Sequence, residues 1–168
     1  MTRFIILPAL ALALLWTTGC ALRPMYAGGA SGMVATSLRS IQVQDIPGKS
    51  GWLVRNALIA KLGDAGGDPA YRLEVELDDN ITGFGIRGDR ATTRERRTLR
   101  ARYRLVELAT GAVVLDATAG SDAGIDVVSS QYATIAAEQT ALERLSEVVA
   151  DQMVGRLALF VSRSPATP

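Results

Sequence analysis

The stretch RRTLRARYRLVEL, residues 96–108, decides the fold that the sequence predicts. Apolar and basic side chains alternate along it, which is typical of a β-strand with one face toward a core and the other toward water. The predicted inward side chains are those of Leu99, Ala101, Tyr103 and Leu105. The predicted outward side chains are those of Arg100, Arg102 and Arg104. This segment therefore predicts one strand of a sheet that has a charged outer face.

Further strands are predicted on both sides of this stretch. The segment YRLEVELD, residues 71–78, alternates between apolar and charged side chains, with Leu73, Val75 and Leu77 on one face. Thr110 and Gly111 predict a tight turn into another strand over residues 113–119. Upstream, residues 38–46 predict a first strand that ends at Pro47-Gly48. The sequence thus predicts about four strands.

Two amphipathic helices are expected to cover the apolar face of the sheet. The first runs from about residue 52 to residue 62, with Ser50 as its N-cap and Gly63 as its end, and the second runs over residues 131–160. Apolar residues recur in both at helical spacing, namely Val54, Leu58 and Leu62 in the first and Ile135, Leu142, Leu145, Val149, Met153, Leu157 and Phe160 in the second. The expected fold is an α+β two-layer sandwich over residues 37–161, in the order β-α-β-β-β-α, with a mixed or antiparallel sheet and both helices on one face.

The first 20 residues have the pattern of a lipoprotein export signal. Arg3 precedes an apolar run over residues 4–16 that is shorter than a membrane-spanning helix, and Thr17-Thr18-Gly19 lead into Cys20. We expect residues 1–19 to be removed as a signal peptide and Cys20 to carry a diacylglycerol and an N-acyl chain. The alternative is a core cysteine that follows an ordinary signal peptide. Residues 20–36 are expected to form a lipid-anchored tether, and residues 162–168 a flexible tail.

Composition argues against several classes of function. Without Arg3, the 18 basic and 17 acidic residues become 17 of each, so the mature chain has no net charge, which disfavours a general nucleic-acid binder. There is no histidine, and Cys20 is the only cysteine, which leaves no Cys/His nucleophile pair and no common zinc site. We therefore expect no catalytic residue, no metal site and no cofactor other than the covalent lipid on Cys20.

Arginine is concentrated in one part of the chain. Residues 87–104 contain eight arginines and two acids, and Gly83–Gly88 predicts a flexible hairpin tip beside them. Arg100, Arg102 and Arg104 are expected to lie opposite Glu74, Glu76 and Asp78 and to form ion pairs across the sheet. The remaining five, which are Arg87, Arg90, Arg94, Arg96 and Arg97, precede the region expected to pair, are expected in or beside a Gly-rich loop, and outnumber the nearby acids. They are candidates to bind phosphate groups or carboxylates on a protein partner.

The opening of the predicted mature chain resembles a known family. Gly19-Cys20-Ala21-Leu22-Arg23-Pro24-Met25-Tyr26 is similar to the Gly-Cys-Gly-Phe-Arg-Pro-Leu-Tyr opening of the LptE family in its short alphaproteobacterial form, with Ala21 and Leu22 as departures. The predicted element order is also similar to that of the family. The resemblance implies a non-catalytic lipoprotein at the outer membrane, which plugs the LptD barrel, assists its assembly and helps to deliver lipopolysaccharide. The alternative is an auxiliary lipoprotein of a lipid-transport ABC system of the MCE type.

Overall fold

The computed structural model describes residues 32–63, 67–86 and 92–163. The elements in chain order are helix α1 (Met33–Arg39), strand β1 (Ile41–Val43), helix α2 (Gly48–Leu62), strand β2 (Tyr71–Ile86), strand β3 (Thr92–Glu107), strand β4 (Val113–Asp126) and helix α3 (Gln131–Arg163). The predicted signal peptide, Cys20 and most of the predicted tether and tail lie outside the described residues.

The four strands form one mixed sheet in the order β1-β2-β3-β4. β1 is parallel to β2, and the other two neighbours are antiparallel. The predicted α+β class and four-stranded sheet are therefore confirmed. The register of β2 and β3 places Glu74, Glu76 and Asp78 opposite Arg104, Arg102 and Arg100, as the alternation predicted.

The core lies between one face of the sheet and the helices. Leu99, Ala101, Tyr103 and Leu105 are all buried, so the predicted inward face of β3 is confirmed. Five predicted apolar residues of α3 are buried with them, namely Leu142, Leu145, Val149, Met153 and Leu157. Phe160 packs edge-on against Tyr71, with the ring centroids 6.5 Å apart. Val54, Leu58 and Leu62 of α2 complete this layer.

Ile135 is the exception in the predicted stripe of α3, because 54% of its surface is exposed. The first turns of α3 lie beside a part of the sheet whose inner face carries a polar pair, Asp79 and Arg97, and Arg97 donates to the backbone oxygen of Glu138. Polar contacts take the place of apolar packing there. The prediction that Ile135 faces the core is therefore wrong.

The N-terminal part of the domain differs from the prediction for residues 38–46. Only residues 41–43 form a strand, while residues 33–39 form α1, which buries Leu38 against the core. Val34 and Leu38 are four residues apart, the spacing of one helical face, and this signal was missed. α2 begins at Gly48 after Pro47 as its N-cap, so Ser50 lies inside the helix and is not the cap.

The β2–β3 hairpin is much longer than predicted. β2 extends to Ile86 and β3 begins at Thr92, so Arg94, Arg96 and Arg97 lie in a strand and not in a loop. Most of the predicted flexible tip is strand as well, because backbone pairing with β3 satisfies its N–H and C=O groups. We call residues 71–78 with 99–107 the near half of the hairpin, and residues 79–86 with 92–98 the far half.

Candidate functional site

The outer face of the sheet carries its charges in rows, one row for each strand. Because side chains alternate along a strand, every second residue points outward. The outward row of β3 is basic, since all of its residues from 94 to 104 except Thr98 are arginines, namely Arg94, Arg96, Arg100, Arg102 and Arg104. The rows on either side are acidic, with Glu74, Glu76 and Asp78 on β2 and Asp116, Asp122 and Asp126 on β4. A basic row between two acidic rows gives a face that largely neutralises itself.

In the near half, the arginines form ion pairs with the neighbouring strands. Arg104 Nη2 lies 3.3 Å from Glu76 Oε1 and 3.5 Å from Glu74 Oε2. Arg102 turns away from β2 and donates to both carboxylate oxygens of Asp116, at 2.9 and 3.3 Å. This hydrogen bonding lowers the pKa of Asp116 and raises that of Arg102. The predicted pairing with β2 therefore holds for Arg104 and is wrong for Arg102.

Arg100 also turns toward β4. Its Nη1 donates to the backbone oxygen of Ser121 over 3.1 Å, although its register partner on β2 is Asp78. The residue opposite it on β4 is Gly120, where a Cβ would collide with the Arg100 side chain. The absence of a side chain at Gly120 lets Arg100 lie across the edge strand, and the predicted Arg100–Asp78 ion pair does not form.

In the far half, the outward arginines are exposed, and each forms an ion pair with one acid of β4. Arg94 Nε lies 3.3 Å from Asp126 Oδ1, and Arg96 Nε lies 3.9 Å from Asp122 Oδ2. The side chains of Arg94 and Arg96 are 65% and 60% exposed. The guanidinium group of Arg96 also lies over the ring of Phe84, 5.5 Å from its centroid. Exposed ion pairs contribute little to stability, so these groups can exchange partners easily.

Arg97 is placed quite differently from Arg94 and Arg96. It lies on the inner face, where Nε and Nη2 donate to the two carboxylate oxygens of Asp79 at 2.8 and 2.7 Å, and Nη1 donates to Glu138 O at 3.0 Å. The Arg97 and Asp79 side chains are only 12% and 18% exposed. These hydrogen bonds to Asp79 raise the pKa of Arg97. The pair joins β2, β3 and α3, and each of the three guanidinium nitrogens of Arg97 donates one hydrogen bond within it.

The structure thus divides the five arginines that the sequence grouped as an anion-binding set. Arg94 and Arg96 share the outer face, Arg97 lies on the inner face, and Arg87 and Arg90 lie outside the described residues. The inner position of Arg97 could have been predicted from the sequence, because Arg97 lies two and four residues before Leu99 and Ala101 and therefore shares their face of the strand. Anion binding by this set remains a prediction.

A groove that the sequence did not predict lies on the inner side of the far half. It encloses about 410 Å³ between the start of α2 and the first turns of α3. Its lining includes Lys49, Arg97, Tyr132 and Ile135. Tyr132 is 89% exposed, and Ile81 and Phe84 on the hairpin are each 40% exposed. The far half therefore combines exposed cations with exposed apolar side chains.

Neither a metal-binding cluster nor a membrane-spanning helix is found in the described ranges 32–63, 67–86 and 92–163. No group of three or more acids, histidines or cysteines there is arranged to hold a metal ion. None of the helices described is both long enough and apolar enough to cross a membrane.

Comparisons with known proteins give a consistent result. A family model, LptE (Lipopolysaccharide-assembly), matches residues 38–157. A crystal structure of a lipoprotein from Caulobacter crescentus is similar, with 26% identity, a TM-score of 0.67 and coverage of 81% of this chain and 100% of that one. Among curated proteins, none matches the sequence.

Two more distant structures are similar in fold alone. Rare lipoprotein B from Shewanella oneidensis is 8% identical with a TM-score of 0.59, over 74% of this chain and 96% of that one. A lipoprotein B from Nitrosomonas europaea is 14% identical with a TM-score of 0.54, over 73% of this chain and 82% of that one.

Proposed function

The chain belongs to the LptE family, and on that premise we propose that it is a non-catalytic, lipid-anchored partner of the outer-membrane barrel LptD. Its family and its lipoprotein neighbours make it a lipoprotein of lipopolysaccharide assembly. We propose further that the domain plugs the lumen of the barrel and assists its assembly, at the periplasmic side of the outer membrane. The observation that carries it is the family match, which spans nearly the whole sandwich from β1 to α3.

The charges of the outer face suit a binding surface. Asp116 and Arg102 have pKa values that are shifted away from neutrality, because each stabilises the charged form of the other. Their charges are therefore fixed, which suits a surface that orients a partner by complementarity.

The far half is the part of the molecule that we propose contacts the partner or lipopolysaccharide. Arg94 and Arg96 present exposed guanidinium groups, whose fork geometry suits phosphate and carboxylate alike. The lipid A phosphates and the carboxylates of barrel loops are the two sources of such groups. The adjacent Phe84 and Ile81 provide apolar contact area.

The proposed lipid anchor is Cys20, because its thiol is the only one in the chain and follows small residues at the end of an apolar run. We expect Cys20→Ser to abolish acylation, since a hydroxyl is a far poorer nucleophile than a thiolate. Metabolic labelling with a fatty-acid analogue measures this. Undiminished labelling of the variant would rule out Cys20 as the acylated residue.

Affinity purification of the tagged full chain from solubilised membranes tests the barrel partnership. We expect an outer-membrane barrel of the LptD type to co-purify with it. Recovery of an inner-membrane ABC transporter or an MCE-type protein in its place would instead establish the alternative role as an auxiliary lipoprotein of lipid transport. The Cys20→Ser variant is the matched control, because it keeps the domain and changes only the proposed anchor.

A further inference from the structure

Strand β2 is paired along its whole length on one side but only at its start on the other. β1 pairs with Tyr71, Arg72 and Leu73 and then ends, and the Gln44 N–H adds one bond to the Leu73 carbonyl over 3.0 Å. Within the described ranges, no strand pairs with this side of β2 from Glu74 to Ile86. An unpaired strand edge of this length is a template for another strand.

The direction of the free backbone groups follows from the antiparallel ladder. In such a ladder, the N–H and C=O groups of alternate residues point to opposite sides of the strand. The Leu73 carbonyl points toward β1, so the same alternation directs the groups of Val75, Leu77, Asp79, Ile81 and Gly83 toward the open edge. Residues between them bond to β3. The open edge thus offers donors and acceptors at every second residue.

The charge beside this edge is acidic and incompletely neutralised. The register places Glu76 opposite Arg102 and Asp78 opposite Arg100, yet both arginines turn toward β4. Glu76 shares Arg104 with Glu74 and is 71% exposed. Asp78 has only the amide of Asn80, at 3.4 Å, as a polar side-chain partner within the described residues. A row of negative charge therefore lies along the open edge.

We propose that the open edge of β2 accepts an extended basic segment of a partner protein, which adds to the sheet as a further strand. The outer face already alternates acidic, basic and acidic from β2 to β4, and a basic strand beside β2 continues this order. Its outward arginine or lysine side chains would pair with Glu76 and Asp78. Its inward apolar side chains would cover Ile81, which is 40% exposed.

The same charges disfavour a second copy of this chain as the occupant. The other edge of the sheet is β4, whose outward row of Asp116, Asp122 and Asp126 is also acidic. Pairing β2 with the β2 or β4 edge of another copy places like charges side by side, which is destabilising. The proposed partner is not restricted to the barrel, since any protein with a basic extended segment has the chemistry that this edge accepts.

A peptide with the sequence TLRARYRL, which repeats residues 98–105, is a suitable probe because this sequence already pairs with β2 in the native sheet. We expect a labelled peptide to bind the folded domain saturably, and a peptide with its three arginines replaced by glutamate to bind not at all. Hydrogen exchange should slow at the amides of Leu77, Ile81 and Gly83 when the arginine peptide binds. The amides between them already bond to β3 and should change little.

Variants of the domain separate strand addition from general charge attraction. Glu76→Lys with Asp78→Lys should weaken the arginine peptide about tenfold, since two cross-strand attractions become repulsions. Asp122→Lys with Asp126→Lys makes the same charge change on β4 and should leave binding unaltered. Ile81→Pro should block binding while the domain keeps its melting temperature within a few degrees, because the lost N–H points to the open edge.

Three outcomes would overturn the proposal. One is equal weakening by both pairs of lysine substitutions, which would mean attraction by net charge alone. Another is peptide binding without slower exchange at the edge amides. The third is a concentration-dependent dimer that Ile81→Pro abolishes, which would make a second copy the occupant.

Discussion

The near and far halves of the β2–β3 hairpin share one alternating pattern but differ in what lies on their inner face. In the near half, Leu73, Tyr103 and Leu105 are buried under the helices. In the far half, the equivalent positions hold the Asp79–Arg97 pair and Ile81, which is 40% exposed. The near half therefore supplies stability through apolar burial, whereas the far half holds an internal polar pair and leaves Ile81 exposed to a partner.

The largest effect is expected for an apolar truncation on α3. Leu145 is 3% exposed, so Leu145→Ala should lower the free energy of unfolding by roughly 2–5 kcal/mol through lost contacts and a cavity. Ile135→Ala on the same helix is the matched control, and its effect should stay within about 0.5 kcal/mol because Ile135 is mostly exposed. Urea denaturation measures both. A larger loss at Ile135 than at Leu145 would reverse the assigned faces of α3.

A smaller effect is expected when the polar pair of the far half is broken. Arg97→Met removes the partner of a carboxylate that is only 18% exposed, which should cost roughly 1–3 kcal/mol. Amides in the first turns of α3 should also exchange faster, because the bond from Arg97 to Glu138 O is lost. Arg94→Met, at an exposed arginine of the same strand, is the control. Equal unfolding free energies for the two variants would show that Arg97 does not hold the far half together.

The contrast also explains what the sequence could predict. In the near half, apolar residues at every second position fix which face is buried, and this set the β2–β3 register correctly. In the far half, charged residues and glycines interrupt that signal, so β2 was predicted to end too early and β3 to begin too late. Pairing there depends on acids that are distant in sequence, with Asp79 lying 18 residues before Arg97. Local patterns do not report such partners.

The outward arginines were predictable as a group but not in their individual roles. Whether Arg102 bonds to β2 or β4 depends on where strand β4 places Asp116. The Arg100 side chain lies in the space that a side chain at position 120 would fill. These choices depend on three strands together. Replacing all five predicted anion-binding arginines should lower stability, because Arg97 is one of them and is paired with Asp79.

The smallest effect on stability is expected for the exposed arginines of the far half. Arg94→Gln with Arg96→Gln should change the free energy of unfolding by less than about 0.5 kcal/mol, since both ion pairs are exposed. Binding to purified lipopolysaccharide or to the barrel should nevertheless weaken. The wild-type interaction should also weaken as the salt concentration rises, because salt screens the exposed charges.

The control for that variant is taken from the near half. Arg102→Gln with Arg104→Gln removes the same charge from arginines that are already engaged with Asp116 and Glu76. Binding measured by co-sedimentation should therefore fall less than it does for the far-half variant. If both double variants lose binding equally, net charge and not the position of the arginines governs the interaction.

Site-specific photo-crosslinking in intact cells tests most directly whether the far half contacts the barrel. A photoreactive residue would replace Phe84 in the far half or Ile135 in the groove beside it, and Leu108 or Val113 at the opposite end of the sheet, all of which are at least 40% exposed. We predict adducts with an outer-membrane barrel from Phe84 and Ile135 and none from Leu108 or Val113. Barrel adducts from Leu108 or Val113 alone, or adducts with an inner-membrane transporter from Phe84, would contradict this prediction.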